Sequence, residues 1–158
     1  FEISGAVPEP PEGMMGRDIT VTIVVTASNL YGYEFVVTFD PDVLEAVDAG
    51  FRDDFLNPEY TPPGWRGTID NVAGTVRFAA TQQNPTSPAS GSGPLAWVQF
   101  RGKALSPSTE VGLAGVKLAD LDGMPIEPVE AHPGYITVVS YAGLEVRVPP
   151  PGSIMEAE

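Results

Sequence analysis

Over residues 19–27, and again over 33–39, hydrophobic side chains recur at every second position. Ile19, Val21, Ile23 and Val25 alternate with Thr20, Thr22, Val24 and Thr26. Tyr33, Phe35, Val37 and Phe39 alternate with Gly32, Glu34, Val36 and Thr38. A period of two describes a strand with one buried face, so residues 19–27 and 30–39 are predicted strands. Asp40-Pro41 ends the second, because proline removes a ladder donor and aspartate favours a turn. The buried set anchors a core. The outward set is small, flat and weakly polar, which suits contact with another protein better than chemistry.

The same pattern, in shorter runs, predicts strands over residues 1–7, 43–47, 67–72, 75–81, 95–104, 111–118 and 134–139. Ala73-Gly74 reads as the turn of a hairpin between 67–72 and 75–81. Residues 48–64 and 84–94 read as irregular, and 106–109 and 120–123 as turns. On 75–81, Val76, Phe78 and Ala80 point to the core and Thr75, Arg77, Ala79 and Thr81 point out. Many short strands without helical periodicity predict an all-β, two-sheet sandwich. The 17 glycines and 17 prolines fit its turns. Residues 1–139 form the expected domain. Residues 140–158 are an extension or linker, in which Leu144, Val146 and Val148 alternate as a possible extra strand over 141–148 before the Pro149-Pro150-Pro151 break.

Composition narrows the function. The 158 residues are enough for one domain with a sizeable core. With 21 acidic against 8 basic residues, the formal charge is −13. The chain therefore has no basic stripe for nucleic acid, and the acidity serves solubility or a basic partner. There is no cysteine, which excludes disulfides, thiolate catalysis and Cys-built metal sites. Thr, Ser and Gly interrupt every apolar run well before the roughly 20 residues of a membrane-spanning helix, so no membrane insertion is expected. The chain opens at Phe1 without initiator or signal peptide, which is the expectation for a module of a longer protein.

Candidate chemistry is sparse. His132, the single histidine, precedes Pro133 in a predicted loop, and no Gly-x-Ser-x-Gly elbow accompanies it. Asp120-Leu121-Asp122-Gly123 opens like a calcium loop, but position 12 would be Ala131, with Glu130 one place short. Asp53 and Asp54 are adjacent and point apart on an extended chain, unlike a glycosidase pair. No enzyme is expected. Trp65 and Tyr60 read as anchors of a proline-rich loop.

The ordered blocks YGYEFVVTFDPDVLEAV, GTIDNVAGTVRFAAT, GPLAWVQFRGKA, VGLAGVKLADLDG and GYITV resemble those of cohesin domains over residues 1–139. The resemblance implies a nine-stranded jelly-roll sandwich. It implies a dockerin partner, a small calcium-loaded helical module, so that calcium is expected on the partner and no cofactor on this chain. It implies an extracellular or cell-surface role within a larger secreted protein, attaching enzymes to a scaffold and meeting polysaccharide only indirectly. Carried onto this sequence, it nominates Gly32, Glu34, Val36, Thr38, Thr68, Asp70, Arg77, Ala79, Thr81, Lys117, Asp120 and Leu121 as partner-binding. Glu34 is expected to accept dockerin hydrogen bonds, with an ordinary solvated strand residue as the alternative; for Arg77 the alternative to a partner contact is a cross-strand ion pair with Glu34. The family pattern puts Ala96, Val98 and Phe100 inside, so Trp97 faces outward on the opposite sheet. There it is covered by residues 140–158, free to stack on a sugar, or simply exposed. Stacking on a sugar would make the chain a carbohydrate-binding module on a jelly-roll frame. A structural cell-surface domain is the third reading.

Overall fold

A computed structural model describes residues 2–3, 18–56, 66–83, 87–138, 146–147 and 155–157. Twelve strands run through them: β1 (Glu2–Ile3), β2 (Asp18–Leu30), β3 (Gly32–Thr38), β4 (Leu44–Phe51), β5 (Arg66–Asp70), β6 (Thr75–Thr81), β7 (Ala89–Gly102), β8 (Ser106–Ala119), β9 (Val129–Glu130), β10 (Gly134–Val138), β11 (Val146–Arg147) and β12 (Met155–Ala157). They form two sheets. One has the order β4-β7-β2-β12-β9, with β1 also on β2, and the other is β11-β10-β8-β3-β6-β5. The all-β, two-layer sandwich expected from the alternation is what the chain builds.

The core lies between the layers. From one sheet come Ile19, Val21, Ile23, Val25, Leu95, Val98 and Phe100; from the other, Phe35, Val37, Val76, Phe78, Val111 and Ile136. Aromatic rings line it: Phe35 and Phe78 are cross-strand neighbours 5.3 Å apart within one sheet, and Phe39 meets Phe100 of the other at 5.0 Å. The Tyr33 hydroxyl donates to the Leu95 carbonyl at 3.3 Å, tying β3 to the opposite layer, and burial pushes its phenol well above its ordinary pKa.

Several boundaries differ from the sequence reading. The strand expected over 95–104 begins at Ala89, because Ser92, Gly93 and Pro94 stand opposite Thr26, Val25 and Val24 of β2. Glycine, serine and proline have weak strand preference, and the long neighbouring strand overrides it. β4 continues past residue 47 to Phe51 with a bulge between Ala46 and Asp48. β8 already starts at Ser106, where a turn was expected, because it pairs with β10.

The predicted hairpin between β5 and β6 is present. Gly74 has φ of 75°, and a Cβ there would strike the Phe39 carbonyl oxygen. Asn71 leaves this turn and clasps the opposite sheet, since its amide accepts from Ala46 N at 2.9 Å and donates to Ala46 O at 3.0 Å. Strands expected over residues 1–7 and 141–148 lie largely outside the described residues. The described pieces pair β1 with β2 and β11 with β10.

Candidate functional site

The alternation of β3 decides what faces out. Tyr33, Phe35 and Val37 are buried, so Gly32, Glu34, Val36 and Thr38 line the outer face. Register with β6 and β8 then assembles rows across it: Thr81–Gly32–Ala119, Ala79–Glu34–Lys117, Arg77–Val36–Ala114 and Thr75–Thr38–Gly112. Thr68 and Asp70 of β5 extend the last two rows beyond Arg77 and Thr75. Ten of the nominated residues thus share one face.

Asp120 and Leu121 lie just beyond it, in the turn after β8. The Asp120 carboxylate is engaged there, accepting from Asp122 N and Met124 N, both at 2.9 Å. Leu121 is exposed at the tip, with Met124 beside it. Asp70 is similarly engaged: it accepts from Val72 N and Ala73 N at 2.9 Å, and these bonds hold its carboxyl below the usual carboxylate range.

Sequence reasoning turned Thr75 onto this face without nominating it, and missed Ala119, Ala114 and Gly112. For Ala114 and Gly112 the reason is a bulge in β8: Glu34 faces Lys117, yet Val36 faces Ala114. Gly115, with φ of 57°, absorbs the extra residue. Strict alternation from Lys117 would have put Leu113 outside, whereas Leu113 packs against the core. The one available signal was the glycine inside an apolar run, which often marks a bulge.

Two features shape the centre. Lys117 Nζ lies 2.9 Å from Glu34 Oε1. The partner directly opposite Glu34 is therefore Lys117, while Arg77 stands one row away, opposite Val36. Above this pair, Gly32, Ala79, Thr81 and Ala119 line a depression of about 330 Å³. Ala79 points outward as expected, but it is only 6% exposed because it forms part of the floor.

The other outer face is different. Ala96, Val98 and Phe100 are buried, and Trp97 points out, opposite Thr22 and Gly50. Its indole lies on Gly50, where a Cβ would approach ring atoms to 2.8–3.0 Å. Thr22, in the same row, is 6% exposed, so this part of the face is roofed. Beside it, Asp18 accepts from Arg101 Nε at 2.9 Å and from Gln99 Nε2 at 3.2 Å. Of the proposed cover, residues 140–145, 148–154 and 158 lie outside the described residues, β11 joins the sheet opposite Trp97, and β12 pairs with β2 in the same sheet as Trp97. Trp65 and Tyr60 also lie outside the described residues. His132 has Glu130 Oε2 at 3.6 Å. Among the described residues no acidic or histidine cluster could hold a metal ion.

The fold is thus a two-layer β-sandwich, one outer face of which carries mostly small residues around an open depression, the form of a surface that receives a partner. A protein-family model for the cohesin domain matches residues 7–138, and the chain belongs to that family. Cohesin domains are non-catalytic binding modules, and so is this one. Among solved structures, the chain is similar to a non-cellulosomal cohesin from the archaeon Archaeoglobus fulgidus: 22% identity, 81% of this chain and 85% of that chain covered, TM-score 0.64. It is also similar to the third ScaC cohesin of Acetivibrio cellulolyticus, solved with the ScaB dockerin: 17% identity, 81% and 93% covered, TM-score 0.64. The OlpA cohesin of Clostridium thermocellum, solved with dockerin Doc918, gives 13% identity, 80% and 92% coverage and TM-score 0.63. At these identities the likeness is one of fold. A comparison with curated proteins returns no match.

Proposed function

We propose that this cohesin module binds a dockerin through the outer face of β3, β6 and β8, and thereby attaches a secreted protein or enzyme to a larger extracellular or cell-surface protein. The family match over residues 7–138 carries this reading. The face supports it: four rows of mostly small residues, with charge confined to a few side chains, suit a docking surface of standard size, about 800 Å² per partner. In this reading calcium belongs to the dockerin and the cohesin needs no cofactor. Polysaccharide is met only through what the partner carries. The carbohydrate-platform alternative is weaker, because Trp97 lies down on Gly50 in a row roofed at Thr22.

The test is capture of dockerin-bearing proteins from the host's secreted fraction, at millimolar calcium and again with chelator. Calcium-dependent capture is expected, and calorimetry with calcium alone should show no tight site on the isolated module. A sub-micromolar calcium site here would reverse the assignment of roles.

A further inference from the structure

The composition of the depression selects its occupant. Its floor is made of Gly32, Ala79 and Ala119, which lie in the two adjoining upper rows of the face. Its side-chain polar groups are already engaged. The Thr81 hydroxyl donates its one proton to the Gln82 carbonyl at 3.0 Å, with the Tyr31 carbonyl at 3.3 Å as the other acceptor in reach. The Glu34 carboxylate holds the Lys117 ammonium at 2.9 Å. A polar group seated on the floor would shed its water and meet no side-chain partner there, whereas an apolar one covers apolar floor. The volume of about 330 Å³ is ample for one large side chain. A side chain at position 32 would fill it, since even a Cβ comes to 3.1 Å from Thr81 Oγ1 and 3.3 Å from the Ala80 carbonyl oxygen.

We infer that the depression receives one bulky aliphatic side chain of the partner, and that Gly32, with Ala119 beside it, sets this preference. The inference rests on the dockerin reading and adds the chemistry of the central contact. The Glu34–Lys117 pair borders the pocket and takes no part in holding the knob. Selectivity therefore comes from shape, and a partner with a polar or charged residue at that point is rejected by desolvation.

The test is a library of dockerin modules randomised at the exposed positions of their helices, displayed on yeast in millimolar calcium. It is selected separately on the native chain, on Gly32→Leu and on Ala119→Leu, with folding of each checked by circular dichroism and melting. Modules selected on the native chain should share Leu, Ile or Met at one helix position. They should bind both filled variants about tenfold more weakly or worse. Reselection on Gly32→Leu should return Gly, Ala or Ser at that position. Suppose instead that the modules carry charged or amide residues at every position and bind both filled variants as well as the native chain. That result overturns the inference and leaves the dockerin reading standing. A library with no calcium-dependent binder overturns the dockerin reading, and the inference with it.

Discussion

Gly32, at the start of β3, and Gly50, on the edge strand β4, each lie on the outer face of one sheet, and each opens a hollow. Over Gly50 the chain fills the hollow itself, with the indole of Trp97. Over Gly32 it leaves about 330 Å³ open between small neighbours. An outward glycine is thus not informative alone. Whether its cross-strand neighbour is large enough to lie across it decides whether the face is finished in cis or left for a partner. Trp97 stands opposite Gly50, whereas Gly32 stands between Thr81 and Ala119.

The sharpest way to break this contrast is to fill the open hollow. Ala79→Arg should lower dockerin affinity by about 2–3 kcal/mol in calorimetry while the melting temperature stays nearly unchanged. Trp97→Ala, on the opposite face, should leave affinity as it was. Equal binding by the Ala79→Arg variant would show that the wrong face has been chosen.

Truncation after Val139 removes β11 and β12, which pair with β10 and β2. We expect a loss of about 2 kcal/mol in denaturant unfolding, red-shifted tryptophan emission and more self-association through the opened edges. An unchanged melting point and spectrum would mean that residues 140–158 are a tether and that Trp97 owes its cover to Gly50 and its sheet alone.

Glu34→Ala should weaken dockerin binding by about 1–2 kcal/mol. Stability should change by less than about 1 kcal/mol, since the Lys117 side chain of the pair is 77% exposed. Gly50→Ala should lift the indole and cost about 1 kcal/mol of stability, read by thermal melting, with dockerin affinity untouched. A loss of affinity there would couple the two faces and end the contrast.

The smallest effect concerns Asp70. Its folded-state pKa is lowered by the Ala73 and Val72 amides, so it stabilises the turn above the ordinary carboxylate pKa. That contribution is lost as pH falls through the lowered value. Amide exchange at Val72 and Ala73, corrected for its intrinsic pH dependence, should show less protection at acid pH. Asp70→Asn should abolish this change.

Much of the architecture is legible in local pattern. The parity of β3 and β6 follows from aromatic and β-branched residues at alternate positions, and Asp-Pro and Ala-Gly mark their turns. Most of the face is legible for the same reason, once β3 is recognised. What misled were segments whose composition argues against a strand, such as Ser92-Gly93-Pro94 and Asp48-Ala49-Gly50. There, pairing to a long neighbour outweighs weak propensity. Residues 120–123 read as a turn, but that the Asp120 and Asp70 carboxylates are spent on their own turns was hidden, because an aspartate that bonds its own turn and one that waits for a partner look alike in sequence.

By itself the sequence determined the class of fold, the buried faces of the principal strands, and which side chains β3 and β6 turn outward, because each follows from alternation along a single strand. Tertiary structure decided the rest of the site. The Gly115 bulge exchanges Leu113 for Ala114 and Gly112 on the outer face. Register sets Lys117 against Glu34, and neighbours from two other strands turn the outward Ala79 into a floor residue. These are relations between strands far apart in the chain, and a bulge or a register is settled by the packing that two sheets share, which no local run of residues contains.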